Sequence, residues 1–323
     1  FSFKEHAMLV SDSARNINKS LDSYPDVVLR CYSEENLNEI DRLKHAIFQL
    51  DDGSNEHKLC WLAFLSILRP ASHAGTATWQ YLLPNRTKAN VIDAFGAFDH
   101  QVDMMVEDML EFSAVCSRKD ATLLQHDARE KCSELKNTVD LVVTSPPYAN
   151  NYDYADATRL ELSVLGEISS YGELQTKIRP HLVRSCTQMV GKQAKDTFEF
   201  IEDPVLKPIH DELKSKCELM YEEKSKHGGS KNYHTMIALY FLDMANVFIS
   251  LRETCKSGSR MCWVIGDSAP YGIYVPVDDW VGQLAIAAGF KEYHFEKIRD
   301  RNIKWKNRKH RVPLKEGNLW IEG

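Results

Sequence analysis

The sequence predicts an α/β protein, a sheet with helices on both faces and helical insertions. Three observations predict it. Apolar residues recur at helical spacing from Leu37 to Leu50 and again from Val91 to Phe112. Farther on, Val139 to Thr144 and Met261 to Ile265 are continuous apolar runs, as expected of strands buried on both faces. Helical and strand patterns then alternate, which is how such layered sheets are built.

The elements follow in order. Residues 1–30 are polar and carry no clear period. Ser33 reads as a helix N-cap, its hydroxyl accepting the Asn36 N–H, with Glu34 and Glu35 at the positive helix end. Leu37, Ile40, Leu43, Ile47 and Leu50 form the apolar stripe, and Asp51-Asp52-Gly53-Ser54 ends it. A second apolar helix runs from Leu59 to Leu68 and stops before Pro70; residues 70–90 read as a loop. Val91 to Phe112 is helical, with Val91, Phe95, Phe98, Val102, Met105, Met109 and Phe112 on one side. Ala121 to Gln125 reads as a short strand ending at His126-Asp127. Residues 167–230 read as a polar, mostly helical insertion ending in the glycine loop Lys226–Ser230, expected to be mobile. Tyr233 to Thr254 is a long helix, and Trp280 to Ala288 is a helix closed by Gly289. Tyr293–Ile298 and Asn318–Ile321 are closing strands. Asp127, Thr144 and Gly266 each stand at a predicted strand end, where ligands of such sheets gather.

Composition removes several function classes. The chain has 323 residues, 43% hydrophobic and 27% charged, which is globular and not disordered. No run of about 18–20 consecutive apolar residues marks a membrane span, and no secretory leader opens the chain, so a cytoplasmic protein without a membrane partner is expected. None of the eight cysteines stands in a C-x-x-C pair, so reduced thiols are expected and no metal is assigned. The net charge of −6 rules out a chain-wide basic signal. Locally the sign reverses. Lys297, Arg299, Arg301, Lys304, Lys306, Arg308, Lys309 and Arg311 are opposed within the segment by Asp300 alone, with Trp305 interleaved. Such a cluster can neutralise phosphates, or it is a solvated loop.

The chemistry-bearing motif is Thr144-Ser145-Pro146-Pro147-Tyr148, directly after the apolar run. Two prolines fix φ and remove two N–H donors, giving a stiff turn. Ser145 and the Pro146 carbonyl can accept hydrogen bonds from an exocyclic amine. Tyr148 can stack on a base taken out of the duplex. This pentapeptide resembles the catalytic motif of S-adenosylmethionine-dependent DNA amino-methyltransferases, in the serine form typical of cytosine-N4 enzymes. His126-Asp127-Ala128-Arg129-Glu130 is similar to the family's strand end near the cofactor adenine. Asn150–Tyr154, Arg159–Leu162, Leu165-Gly166, Val264–Ser268 and Ala288–Phe290 resemble segments that follow.

The resemblance implies a Rossmann-like methyltransferase sheet and S-adenosylmethionine as cofactor. It implies Ser145, Pro146, Pro147 and Tyr148 as catalytic, and Asp127, Ala128 and Thr144 as cofactor-binding. Asp153 and Tyr154 would line the base pocket, and Arg301, Lys304, Lys306 and Arg308 would hold DNA. The partner is double-stranded DNA with a flipped base, with a restriction or defence protein as a further candidate. Residues 116–166 and 233–323 would form the core, 1–115 a helical region for DNA or cofactor-side contacts, and 167–232 a target-recognition insertion. No cysteine nucleophile is expected, because the amine attacks the methyl group directly. Adenine N6 is the alternative acceptor. The family's glycine-rich cofactor turn has no counterpart, since no Gly-x-Gly occurs and Asp93–Gly96 falls within helical periodicity. The turn lies outside these residues, comes from a partner chain, or is lost; strand order favours the first. Its loss would leave a DNA-binding subunit without a cofactor site.

Overall fold

A computed structural model describes residues 2–18, 23–76, 82–115, 121–301 and 312–323. The chain forms two compact units, Phe1–Leu123 with Ala155–Lys177, and Leu124–Tyr154 with Ile178–Gly323.

The first unit is helical. It holds α1 (Ser2–Asn16), α2 (Asp26–Leu29), α3 (Glu34–Gln49), α4 (Asn55–Ile67), the antiparallel pair β1 (Ala74–Thr76) and β2 (Leu82–Thr87), and α5 (Ala94–Val115). The chain leaves the second unit at α6 (Tyr154–Ala157), and α7 (Arg159–Val164) joins the first. The expected cap forms, with Ser33 Oγ accepting the Asn36 N–H at 3.2 Å; Ser54, read only as the end of the preceding element, also caps, its Oγ accepting the His57 N–H at 3.0 Å. Asp93 caps α5 through the Gly96 N–H at 2.6 Å, so Asp93–Gly96 is a helix start. Ile40, Leu43, Ile47, Phe64 and Phe98 are fully buried in one core.

Two expectations are corrected in this unit. Residues 70–90 contain the β1–β2 pair rather than only loop. Val91 precedes α5, and it and Phe112 are exposed, so the apolar stripe of that helix is shorter than its sequence.

The second unit is α/β. It contains β3 (Val139–Thr144), α8 (Thr197–Ile201), α9 (His210–Lys226), α10 (Tyr233–Thr254), β4 (Cys255–Gly266), α11 (Val277–Ala287), β5 (Glu292–Arg301) and β6 (Leu314–Glu322). The sheet order is β3-β4-β6-β5. β3 and β4 are parallel; β4–β6 and β6–β5 are antiparallel. Met261, Trp263 and Ile265 of β4 and Leu319 and Ile321 of β6 share a core with α10 and α11, where Phe248 stacks on Trp263 at 4.7 Å. α10 is long and apolar enough to cross a membrane by length and composition, and 83% of that window is buried in the fold. Gly289 closes α11 at φ +104°.

Here too the sequence misleads in two places. Residues 121–125 form no strand; they are exposed, Leu123 at 94%, and no described strand pairs with them. A strand needs a ladder partner for its N–H and C=O groups, and this segment lacks one among the described residues. β3 is an edge strand in the described sheet, not one buried on both faces. Val142 packs against the core, whereas Leu141 and Val143 are 58% and 71% exposed.

Candidate active site

Because β3 and β4 are parallel, their carboxyl ends fall on one edge, with Thr144 paired to Trp263. The Thr144–Tyr148 turn leaves from that edge. Pro146 is buried and Ser145 exposed, its Oγ 3.5 Å from the Val264 carbonyl oxygen. The segment after the turn is pinned at several points. The Tyr148 N–H donates to Tyr154 Oη at 3.3 Å, and Ser268 donates to the Ala149 carbonyl. The Asn151 N–H donates to the Ser185 carbonyl at 3.1 Å, and Asn151 Oδ1 accepts the Thr187 N–H at 2.8 Å. Asn151 adopts φ +66°, a conformation asparagine tolerates better than most side chains.

Arg301 reaches this turn from the end of β5. Its guanidinium carbon lies 5.1 Å from the Tyr148 ring centroid. Nη1 donates to the Asp267 carbonyl at 2.9 Å, and Nε lies 3.6 Å from Glu316. Gly266 makes the crossing possible: a Cβ there would stand 2.7 Å from Arg301 Nη1. Burial raises the Tyr148 hydroxyl, aided by the Glu316 charge and opposed by Arg301 and a hydrogen bond with Ser145. Burial likewise raises Tyr154. Both rings therefore stay neutral and present stacking faces. Beneath them, burial lifts the Asp267 carboxyl to about 6, while the Tyr274 hydroxyl donates to it at 2.8 Å.

The basic segment is less free than its sequence suggests. The β5–β6 register sets Glu316 opposite Arg299, and the two pair at 2.6 Å. Lys297 pairs with Asp300 at 2.5 Å. Asp300 is thus not the sole opposing acid, because a neighbouring strand brings a second one. Lys304, Lys306 and Arg308 lie outside the described residues.

Asp127 sits in a different setting. Both its carboxylate oxygens accept from Arg129, Oδ1 from Nε at 2.9 Å and Oδ2 from Nη2 at 2.6 Å, and this holds Asp127 below the usual carboxylate range. Arg129 also lies 3.5 Å from Asp243, which is buried in α10 and binds Arg184. The Arg184 N–H and Nε reach Asp243 Oδ2 at 2.8 and 2.9 Å. Residue 185 in turn holds Asn151, so a polar chain connects Asp127 to the turn's flank without direct contact. Ala128 is exposed and Thr144 half-buried. Asp153 is buried, with Oδ2 2.6 Å from Arg179 Nη2. Of the two expected pocket residues, Tyr154 touches the turn through its hydroxyl.

Sequence reasoning missed Arg129, Arg179, Arg184, Asp243 and Glu316. Asp243 left one signal, an acid within the apolar run of α10. Arg129 stands two residues from Asp127, inside the His126–Glu130 motif, so its pairing was within reach of the sequence. Arg179, Arg184 and Glu316 left no signal, since their partners are far along the chain. Burial pushes the thiol of Cys186 up to about 12, so it stays protonated.

No family model matches the chain, and no solved structure matches it. Curated relatives do. The Type II methyltransferase M.BsoBI of Geobacillus stearothermophilus is 27% identical over 207 residues, covering 60% of this chain and 40% of that protein. The Type II methyltransferases M.AvaI of Nostoc sp. and of Anabaena variabilis are each 26% identical over 213 residues, covering 63% of this chain and 43% of theirs. The chain spans less than half the length of these relatives, and over that span it is similar to Type II methyltransferases.

Proposed function

We propose that this chain carries the base-acceptor part of a site-specific DNA methyltransferase acting on an exocyclic amino group, with cytosine N4 as the acceptor. The observation that carries the reading is the Thr144–Tyr148 turn at the joint carboxyl ends of β3 and β4, with Arg301 laid against Tyr148. The names of the relatives support methyl transfer. The sheet and its helices are compatible with a Rossmann-like methyltransferase core, with 1–115 and 167–232 as regions that contact DNA.

In this reading the sulfonium methyl of S-adenosylmethionine is the electrophile. The described residues do not by themselves fit an adenosine site. Asp127 is already engaged by Arg129 on both oxygens, residues 121–126 are exposed, and no Gly-x-Gly turn is present. No step is therefore routed through the donor. The chain's own part is to hold the base. Ser145 Oγ and the Pro146 carbonyl accept the two amine protons, which keeps the nitrogen closer to tetrahedral and its lone pair aimed outward. Tyr148 stacks on the extracted base. Arg301, held by Asp267 and Glu316, fixes the other side of that ring and lies towards phosphate. Catalysis then rests on positioning and polarisation. The engaged Asp127 also favours a second reading, a DNA-binding subunit whose cofactor site is on another chain.

The test is digestion and mass spectrometry of DNA from cells making the full-length protein, with N4-methylcytosine expected. Tyr148→Ala should lower methylation by the about 1–3 kcal/mol of a base stack, with Tyr148→Phe milder. Ser145→Ala should lower turnover at unchanged melting temperature. N6-methyladenine would change the acceptor only; 5-methylcytosine would overturn the mechanism.

A further inference from the structure

Three separated pieces of the helical unit meet at its edge. His6 lies on α1, Asp51 and Asp52 in the turn after α3, and His57 in the first turn of α4. The two imidazoles meet edge to face at 89°, with His6 Nε2 3.3 Å from His57 Nδ1. Asp52 Oδ2 lies 3.9 Å from His6 Nδ1, and Asp51 Oδ1 lies 3.5 Å from His57 Nε2. One ligand atom each from His6, Asp52 and His57 falls within 4.8 Å of the other two.

The turn holds the acids in place. Asp51 Oδ1 accepts the Gly53 N–H and Asp52 Oδ1 that of Ser54, both at 2.9 Å, and Gly53 at φ +73° supplies the left-handed step. These bonds shape the turn without pointing to a ligand. The second observation is His57 itself. It is 2% exposed, and its Nε2 has no hydrogen-bond partner. That nitrogen faces Asp51 at 3.5 Å, which leaves Nδ1 as the nitrogen turned into the cluster beside His6.

We propose that His6, His57 and Asp52 form a zinc-type metal site that ties α1 to the turn between α3 and α4. Zinc–nitrogen bonds are about 2.0–2.1 Å long. Tetrahedral geometry then separates two nitrogens by about 3.3–3.4 Å, which is the His6–His57 spacing. Imidazole with carboxylate suits zinc and its first-row neighbours and disfavours calcium and magnesium. With His57 ligating through Nδ1, its Nε2 carries the proton and faces Asp51, the outer carboxylate that commonly orients a ligating histidine. Asp52 is exposed, with Oδ1 taken by the Ser54 N–H and Oδ2 turned toward His6 to supply the third ligand. No cysteine pair is involved, so cysteine spacing could not have signalled it.

The test uses the full chain, prepared without a histidine tag and stripped of metal. Zinc titration by calorimetry should show one saturable equivalent, and the melting temperature should rise with zinc concentration. Cobalt should give visible absorption bands of a four-coordinate site. His6→Gln, a half-exposed position, and Asp52→Asn, an exposed one, should each lose the equivalent and the zinc-dependent shift while melting normally without metal. Asp51→Asn should weaken zinc about 10–100-fold. No saturable equivalent in the parent, or the same equivalent in both His6→Gln and Asp52→Asn, would leave a plain histidine–histidine hydrogen bond and overturn the proposal.

Discussion

β4 and β3 are parallel neighbours, and both read as apolar runs, yet they differ in what they bury. β4 is laddered on both sides, by β3 and β6, and Met261, Trp263 and Ile265 are covered by helices of its unit. β3 is laddered on one side among the described residues, and Leu141 and Val143 face outward. Residues 121–125 extend the comparison: a similar apolar run, no ladder, no strand. An apolar run therefore identifies a segment able to be a strand. Its neighbours decide whether it becomes one and how deeply it is buried.

The largest expected effect sharpens this contrast directly. Trp263→Ala removes a fully packed ring stacked on Phe248 and should cost about 3–5 kcal/mol in denaturant unfolding. Val143→Thr on the exposed face of β3 should stay within about 0.5 kcal/mol. Comparable losses at both positions would mean that β3 is covered in solution.

A smaller effect concerns what anchors the segment without a ladder. Asp243→Asn leaves Arg129 and Arg184 facing a neutral group. The loss should be about 2–3 kcal/mol, below that of a fully buried pair because the two guanidiniums keep 19% and 22% of their surface exposed. Amide exchange should accelerate over 126–131 and 184–187 and leave β4 unchanged. Uniform acceleration would show that the pair supports the whole unit instead.

The smallest effect is a pH dependence at the end of β4. Asp267 binds its proton more tightly folded, with a pKa of about 6, than unfolded, near about 3.9. Its favourable contribution is complete below about pH 4 and fades as pH rises through about 6. Asp267→Asn cannot ionise, so it should gain stability relative to the parent between pH 4 and 7. Parallel melting curves across that range would rule this out.

Much of the local structure was legible because it is set by neighbours in sequence. Ser33 caps α3 because its hydroxyl is three residues from a free N–H. Gly289 closes α11 because glycine alone enters that conformation without cost. The Tyr233–Thr254 helix and the Thr144–Tyr148 turn were equally legible, from apolar length and from proline stiffness.

What the tertiary structure alone decided involves partners distant in the chain. Arg301 lies on Tyr148 because β5 runs beside β6 and Gly266 leaves room for its guanidinium. Glu316 moderates the basic segment because an antiparallel register sets it opposite Arg299. Asp153 reads as a site acid, yet it is met by Arg179 from another part of the chain, whereas the Asp127–Arg129 pair is local, two residues apart. A carboxylate drawn out of water takes the nearest cation able to hold it, and only the folded chain determines which cation that is.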